Sequence, residues 1–127
     1  MATGISAALA QAWLGTLTNT PWVAPITAVQ LHTGQPGANG TANVSAVGSR
    51  QQCNFVLSGN SLIFTGSPPT WSMTTAETIT LATVWSDLSA GTFLFSGTLL
   101  APQTVANGDV FTLNAITLPF LSSTIAS

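Results

Sequence analysis

Residues 77–85 read Glu-Thr-Ile-Thr-Leu-Ala-Thr-Val-Trp, an uninterrupted alternation that decides the fold class. One side of such a segment carries Ile79, Leu81, Thr83 and Trp85. A period of two with β-branched and aromatic residues is typical of a half-buried β-strand. We therefore expect a strand over residues 77–85 in which these four residues, the last of them Trp85, face inward.

The same pattern recurs on both sides of this segment. Gly, Asn, Ser and Pro turn signals separate further predicted strands over residues 28–33, 51–57, 61–65, 92–100 and 110–118. Ser58-Gly59-Asn60 is a hairpin signal, and Asn107-Gly108-Asp109 is a second tight-turn signal. About six to eight short strands predict an all-β fold, an antiparallel β-sandwich. The length suits a single domain over residues 1–127.

The N-terminal segment has a different period. Ile5, Leu9, Trp13 and Leu17 recur every four residues, which predicts one short α-helix from about residue 4 to residue 17. Thr3 is the expected N-cap. A helix this short is marginal alone, so we expect it to lie on the sandwich or on a neighbouring molecule.

Charge is almost absent from this chain. Its charged residues are Arg50, Glu77, Asp87 and Asp109, whereas about a quarter of the residues in soluble domains are charged. A single Arg and no Lys argue against nucleic acid and against anionic membranes, and no apolar run approaches the roughly 18–20 residues of a spanning helix. We also expect no secretory signal, because residues 1–4, Met-Ala-Thr-Gly, lack the cationic start that such signals carry. We interpret the missing charge as a surface covered by neighbours, including copies of the chain in a trimer or another symmetric oligomer.

The residues available for chemistry are few. His32 is the one histidine and Cys53 the one thiol, and no nucleophile elbow is present. We expect His32 to be hydrogen-bonded or solvated on its strand, Cys53 to be a small buried hydrophobe, and the protein not to be an enzyme. A calcium ion at Asp109 is conceivable, but the turn explains the same residues, so we predict no cofactor and no metal.

Four tryptophans remain to be placed. Trp85 belongs with the inward residues of its strand, and Trp13 is on the helix stripe. Trp22 and Trp71 lie in Pro-flanked segments that we predict to be loops, which makes them the freer pair. Such rings suit a subunit interface, which we favour, or a sugar-binding platform.

Residues 31–43, Leu-His-Thr-Gly-Gln-Pro-Gly-Ala-Asn-Gly-Thr-Ala-Asn, resemble the signature of a family of small tailed-phage virion proteins. The Arg50-Gln51 pair and the Gly97–Asp109 segment also follow the pattern of that family, so the resemblance covers nearly the whole chain. Gln35 and Val44 stand where the family usually has acidic residues, in keeping with the low charge elsewhere.

The resemblance implies a non-enzymatic bacteriophage structural protein located in the virion. Because the chain shows no repeats or heptads for a shaft, we expect a capsid decoration protein bound to the major capsid protein on the head surface. A tail fibre or minor tail protein bound to a tail protein is the alternative, and a carbohydrate-binding module is the second. Candidate interface residues are Trp13, Trp22, His32, Pro36, Asn43, Arg50 and Trp71. We also expect Arg50 to meet one of the acids, and the loop after His32 either to contact a partner or to pack only on its own chain.

Overall fold

The computed structural model describes residues 4–19, 26–58 and 61–113. Its elements are β1 (Gly4–Ile5), α1 (Ala7–Gly15), a 3-10 turn (Thr16–Thr18), β2 (Thr27–His32), β3 (Gln51–Ser58), β4 (Ser61–Thr65), β5 (Thr70–Ser72), β6 (Glu77–Trp85), β7 (Phe93–Val105) and β8 (Val110–Thr112). Antiparallel strands with one short N-terminal helix confirm the predicted all-β, sandwich-like fold. The predicted tight turn at residues 59–60 and the predicted strand residues 114–118 lie outside the described residues.

Six strands form one sheet in the order β1-β7-β6-β2-β3-β4, and β5 and β8 form a separate pair. The centre of the sheet is the β2–β6 pairing, in which Val29 lies opposite Val84 and Leu31 opposite Ala82. These residues share one face of the sheet, because directly paired residues of antiparallel strands point to the same side. The β5–β8 pair adds Trp71 to the same hydrophobic cluster, which therefore lies between two layers of strands.

The inward face predicted for β6 is correct at Ile79 and wrong for the residues after it. Ile79 belongs to the core cluster, but so do Ala82 and Val84 rather than Leu81, Thr83 and Trp85. The cause is an irregularity in the pairing with β7: Ile79 lies opposite Gln103, whereas Leu81 lies opposite Thr98. Extra residues on one strand shift the alternation of the pair. From Leu81 onward β6 is buried on both faces, and Trp85 is buried, as predicted, but on the side opposite to the main core.

The helix begins later than its sequence pattern predicted. Gly4 and Ile5 pair with β7 as a short strand, and Ser6 is the N-cap, its hydroxyl accepting a hydrogen bond from the Leu9 amide at 3.1 Å. The predicted N-cap, Thr3, lies outside the described residues. Leu9 is buried in the core, but Leu17, expected on the same buried stripe, is 83% exposed. Among the described residues no helix has the length and apolar character needed to cross a membrane.

Candidate functional site

The longest irregular segment, residues 33–50, follows β2 and is here called the Gly-rich loop. Its two arms meet at the end of β2, where the Thr33 amide donates to the Asn43 carbonyl at 2.9 Å and the Ser45 amide donates to the Leu31 carbonyl at 3.0 Å. His32 and Val44 form a bridge at the same point. The first half of the loop is therefore a closed excursion with fixed ends.

The interior of this excursion is shaped by local hydrogen bonds and three left-handed residues, Gly37, Gly40 and Asn43. Pro36 is fully buried, and its carbonyl accepts from the Ala42 amide at 3.0 Å. Asn43, at φ 55°, donates from its side-chain amide to the Gln35 carbonyl at 2.8 Å. Gly40, at φ +73°, lies so close to the Phe93 ring that a Cβ atom there would be 2.7 Å from it. The loop thus packs on the face of the sheet opposite to the main core.

His32 holds the loop to the sheet through a directed chain of hydrogen bonds. Its ring is 0% exposed, with Nδ1 2.8 Å from the Ala42 carbonyl and Nε2 2.8 Å from the Thr83 hydroxyl, which also accepts from Trp85 Nε1 at 2.8 Å. A carbonyl only accepts, so Nδ1 carries the proton and Nε2 accepts from the Thr83 hydroxyl. Burial lowers the pKa of His32, and main-chain hydrogen bonds oppose that shift. With His32 neutral, both of its ring nitrogens, the Thr83 hydroxyl and Trp85 Nε1 each have a hydrogen-bond partner.

Glu77, at the start of β6, holds the middle of the loop. Its carboxylate accepts a short hydrogen bond from the Ser45 hydroxyl and a second one from the Ala46 amide at 3.1 Å. The Ser45 hydroxyl also accepts from the Val47 amide at 3.2 Å. The Glu77 carboxylate therefore takes the place of a neighbouring strand as the hydrogen-bond acceptor for Ser45 and Ala46.

Arg50 closes the loop at the start of β3. Its guanidinium lies 4.0 Å from the centroid of the Trp85 ring, and Nη1 donates to the carbonyls of Asp87 at 3.0 Å and Ala90 at 2.6 Å. Burial lowers the pKa of Arg50, and the charge of Asp87 opposes that shift. Arg50 thus lies beside Asp87, one of the acids it was expected to meet, but it hydrogen-bonds the main-chain carbonyl of that residue and not its carboxylate. The Asp87 carboxylate accepts from the Leu88 amide at 2.7 Å instead.

The predicted site residues divide into groups. The structure brings His32, Pro36, Asn43 and Arg50 together in and under the Gly-rich loop. Trp13 is half-buried on α1, against the core, and Trp22 lies outside the described residues.

The loop placement predicted for Trp71 is wrong. It lies on β5 opposite Phe111 and is 2% exposed, because the short β5–β8 pair turns its ring into the core. Its indole N–H donates to the Ser49 carbonyl at 3.0 Å, so it supports the loop from inside and leaves little surface for a partner.

Sequence reasoning missed the residues under the loop. Thr83 was expected to be an ordinary inward strand residue, and Phe93 only a strand aromatic. No local signal marks either of them, because Thr83 is more than 40 residues away in sequence from His32, and Phe93 is equally far from Gly40. Burial of Cys53 is confirmed, at 3% exposure, and burial raises the pKa of its thiol to about 11.

The outer surface of the Gly-rich loop is neutral and polar. In the first half of the loop, residues 33–43, the exposed residues are Thr33, Gln35, Gly37, Ala38, Asn39, Thr41, Ala42 and Asn43, and in the second half they are Val44, Ala46, Gly48 and Ser49. In the described part of the chain, no group of three or more His, Cys, Asp or Glu side chains is placed to hold a metal ion. The first half of the loop therefore presents a fixed surface of hydrogen-bonding groups without charge.

Comparison with known protein families gives a match that extends over most of the chain. Residues 4–120 match the model of a family described as podophage GP4 fiber I protein gp80. None of the curated proteins matches the chain.

Proposed function

Because this chain belongs to the family of podophage GP4 fiber I protein gp80, and is therefore a structural protein of a phage virion, we propose that it is a subunit of a virion fibre. The observation that supports the fibre over the head is the name of the matching family, whose model extends over residues 4–120. The proposed role is mechanical, without a catalytic step, cofactor or metal.

The Gly-rich loop is the proposed contact surface. Its backbone is fixed by His32, Glu77 and Arg50 before any partner arrives, so association does not have to order it. Its neutral donors and acceptors suit a tail protein, or another copy of the chain, with matching polar groups. Because the surface carries no charge, we expect binding to depend weakly on ionic strength.

Capsid decoration remains the alternative location. It is supported by the lack of shaft-forming repeats or heptads within these 127 residues. The carbohydrate-binding alternative has less support, because it required both Trp22 and Trp71 to be exposed, and Trp71 is 2% exposed.

The decisive experiment locates the chain on the particle. Antibody-gold labelling of intact virions, with copy number from quantitative mass spectrometry, should place the label on tail-associated fibres in few copies per particle. Label spread over the head, in numbers comparable to the major capsid protein, would overturn the fibre proposal in favour of decoration.

A paired substitution tests the contact surface. Asn39 is exposed in the Gly-rich loop and Asn107 is exposed in the β7–β8 turn, so Asn39→Arg and Asn107→Arg add the same charge at matched sites. Burying an unpaired charge is costly, so Asn39→Arg should lower incorporation into particles by about tenfold or more. Asn107→Arg should be incorporated like the wild type. Equal incorporation of the two variants would contradict the assignment of the loop.

A further inference from the structure

The N-terminal helix uses only one of its sides. Leu9 is buried in the core and Trp13 is half-buried against it. By contrast, Leu14 is 66% exposed and Leu17 is 83% exposed. Leu17 lies in the 3-10 turn that continues α1, three residues after Leu14, so the two side chains are neighbours on one side of the helix. The helix therefore presents two large apolar side chains to solvent.

These leucines continue a strip that begins with small residues. Ala7, Ala10, Leu14 and Leu17 follow one another at spacings of three, four and three, which places them along one side of the helix. The strip, here called the Ala–Leu strip, has its two small residues at the N-terminal end and its two large ones at the C-terminal end. Position 12 is the midpoint of the strip: Ala7 and Leu17 are equally far from it, and so are Ala10 and Leu14.

We infer that the Ala–Leu strip pairs with the same strip of a second copy of this chain, antiparallel across a two-fold axis. In that arrangement Leu17 of each copy lies over Ala7 of the other, and Leu14 lies over Ala10. Large side chains then meet small ones at both ends, as close packing of helices requires. A two-fold contact uses the same patch on both partners, so the patch must complement itself.

Charge supports a second copy as the occupant. The first charged residue of the chain is Arg50, and α1 has neither an acid in its first turn nor a base in its last. A partner with ordinary surface charge would lose hydration against this strip without gaining an opposite charge. The same strip of a second copy has no charge to lose.

The extent of the strip limits the strength of the contact. A helix pair of this length buries less than the roughly 800 Å² per partner of a standard stable interface. We therefore expect a reversible dimer in dilute solution that is reinforced by other contacts in the particle. The inference rests on the proposed function only in that a virion subunit contacts its neighbours. Self-association is measured in solution, so its failure is distinct from a wrong location on the particle.

Sedimentation equilibrium of the full chain tests the inference. Wild-type protein should approach the mass of two chains as concentration rises, and Leu17→Glu should raise the dissociation constant by about tenfold or more. Ala8→Glu is the matched control, because Ala8 is exposed on another side of the same helix and receives the same charge. Ala8→Glu should dimerise like the wild type.

A double variant tests the antiparallel orientation. Combining Ala7→Lys with Leu17→Glu places opposite charges across both ends of an antiparallel pair, so dimerisation should recover relative to Leu17→Glu alone. In a parallel assembly the new charges would face like charges and no recovery would occur. A monomer at every concentration, a mass of three chains, equal damage by Ala8→Glu, or no recovery in the double variant would each overturn the inference.

Discussion

The hydroxyl of Thr83 hydrogen-bonds the His32 ring that holds the Gly-rich loop to the sheet. We therefore expect Thr83→Val to destabilise the protein strongly. Valine keeps the shape and the β-branch but removes the oxygen that joins His32 Nε2 and Trp85 Nε1, each at 2.8 Å. Thr83 and His32 are 0% exposed and Trp85 is 6% exposed, so water does not replace the lost bonds freely. Two buried groups left unpaired at about 1–3 kcal/mol each give a loss of about 2–6 kcal/mol.

The same substitution three residues earlier provides the control. The Thr80 hydroxyl oxygen is buried and has no hydrogen-bond partner among the described residues. Thr80→Val removes that unsatisfied group from the same strand, so stability should stay within about 1 kcal/mol of wild type or rise. Urea unfolding monitored by tryptophan fluorescence measures both, compared at a common m value.

The outcome that refutes this reasoning is specific. If Thr83→Val loses no more stability than Thr80→Val, the hydrogen-bond chain through His32 does not hold the loop to the sheet. Amide exchange adds a local readout, since the Ala42 and Ser45 amides on the loop should lose protection in Thr83→Val. Unchanged protection at both amides, together with a large loss of stability, would place the effect elsewhere in the sheet.

Three further predictions follow from the same contacts. Because burial lowers the pKa of folded His32 below its usual 6.5, the unfolded chain binds the proton at a higher pH than the folded one. The free energy of unfolding, measured by urea titration, should therefore be at its full value above pH 6.5 and decrease as the pH falls below 6.5. His32→Gln should flatten this pH dependence, and an equal slope in that variant would contradict the prediction. Gly40→Ala should cost about 1–3 kcal/mol more than Gly37→Ala in the same unfolding assay, since both have positive φ but only the first would push a Cβ into Phe93; equal losses would deny that contact. Cys53, with its pKa raised to about 11, should resist Ellman's reagent at pH 8 until the protein unfolds, and rapid labelling of the native protein would show that the thiol is accessible.

The strands that sequence reasoning placed best are those with an uninterrupted period of two. On β2 the period of two is unbroken, with Val29 and Leu31 in the main core and His32 on the other side. On β6 the same rule failed after Ile79, because the irregularity there depends on β7. A pattern within one strand reports which residues alternate, but the partner strand decides where that alternation is broken.

The candidate site was predictable in part. The Gly-rich loop was evident from its turn residues, and the family resemblance identified Pro36 and Asn43 within it and His32 just before it. The surface under the loop was not predictable, because it is built from Thr83 and Phe93, which reach the loop only through the pairing of β2 with β6 and of β6 with β7. Contacts set by the order of strands in a sheet leave no local trace in sequence.

The few charges of this chain have an explanation that does not require a charged surface. Glu77 binds a hydroxyl and an amide of the Gly-rich loop, and Arg50 binds carbonyls beyond β6 while covering Trp85. Asp109 accepts from the Ala106 amide at 2.9 Å within its turn. Each charge thus completes the hydrogen bonding of irregular backbone, where a neutral side chain would form a weaker bond. Such a chain can leave its exposed face neutral for partners and still fix the loops that form that face.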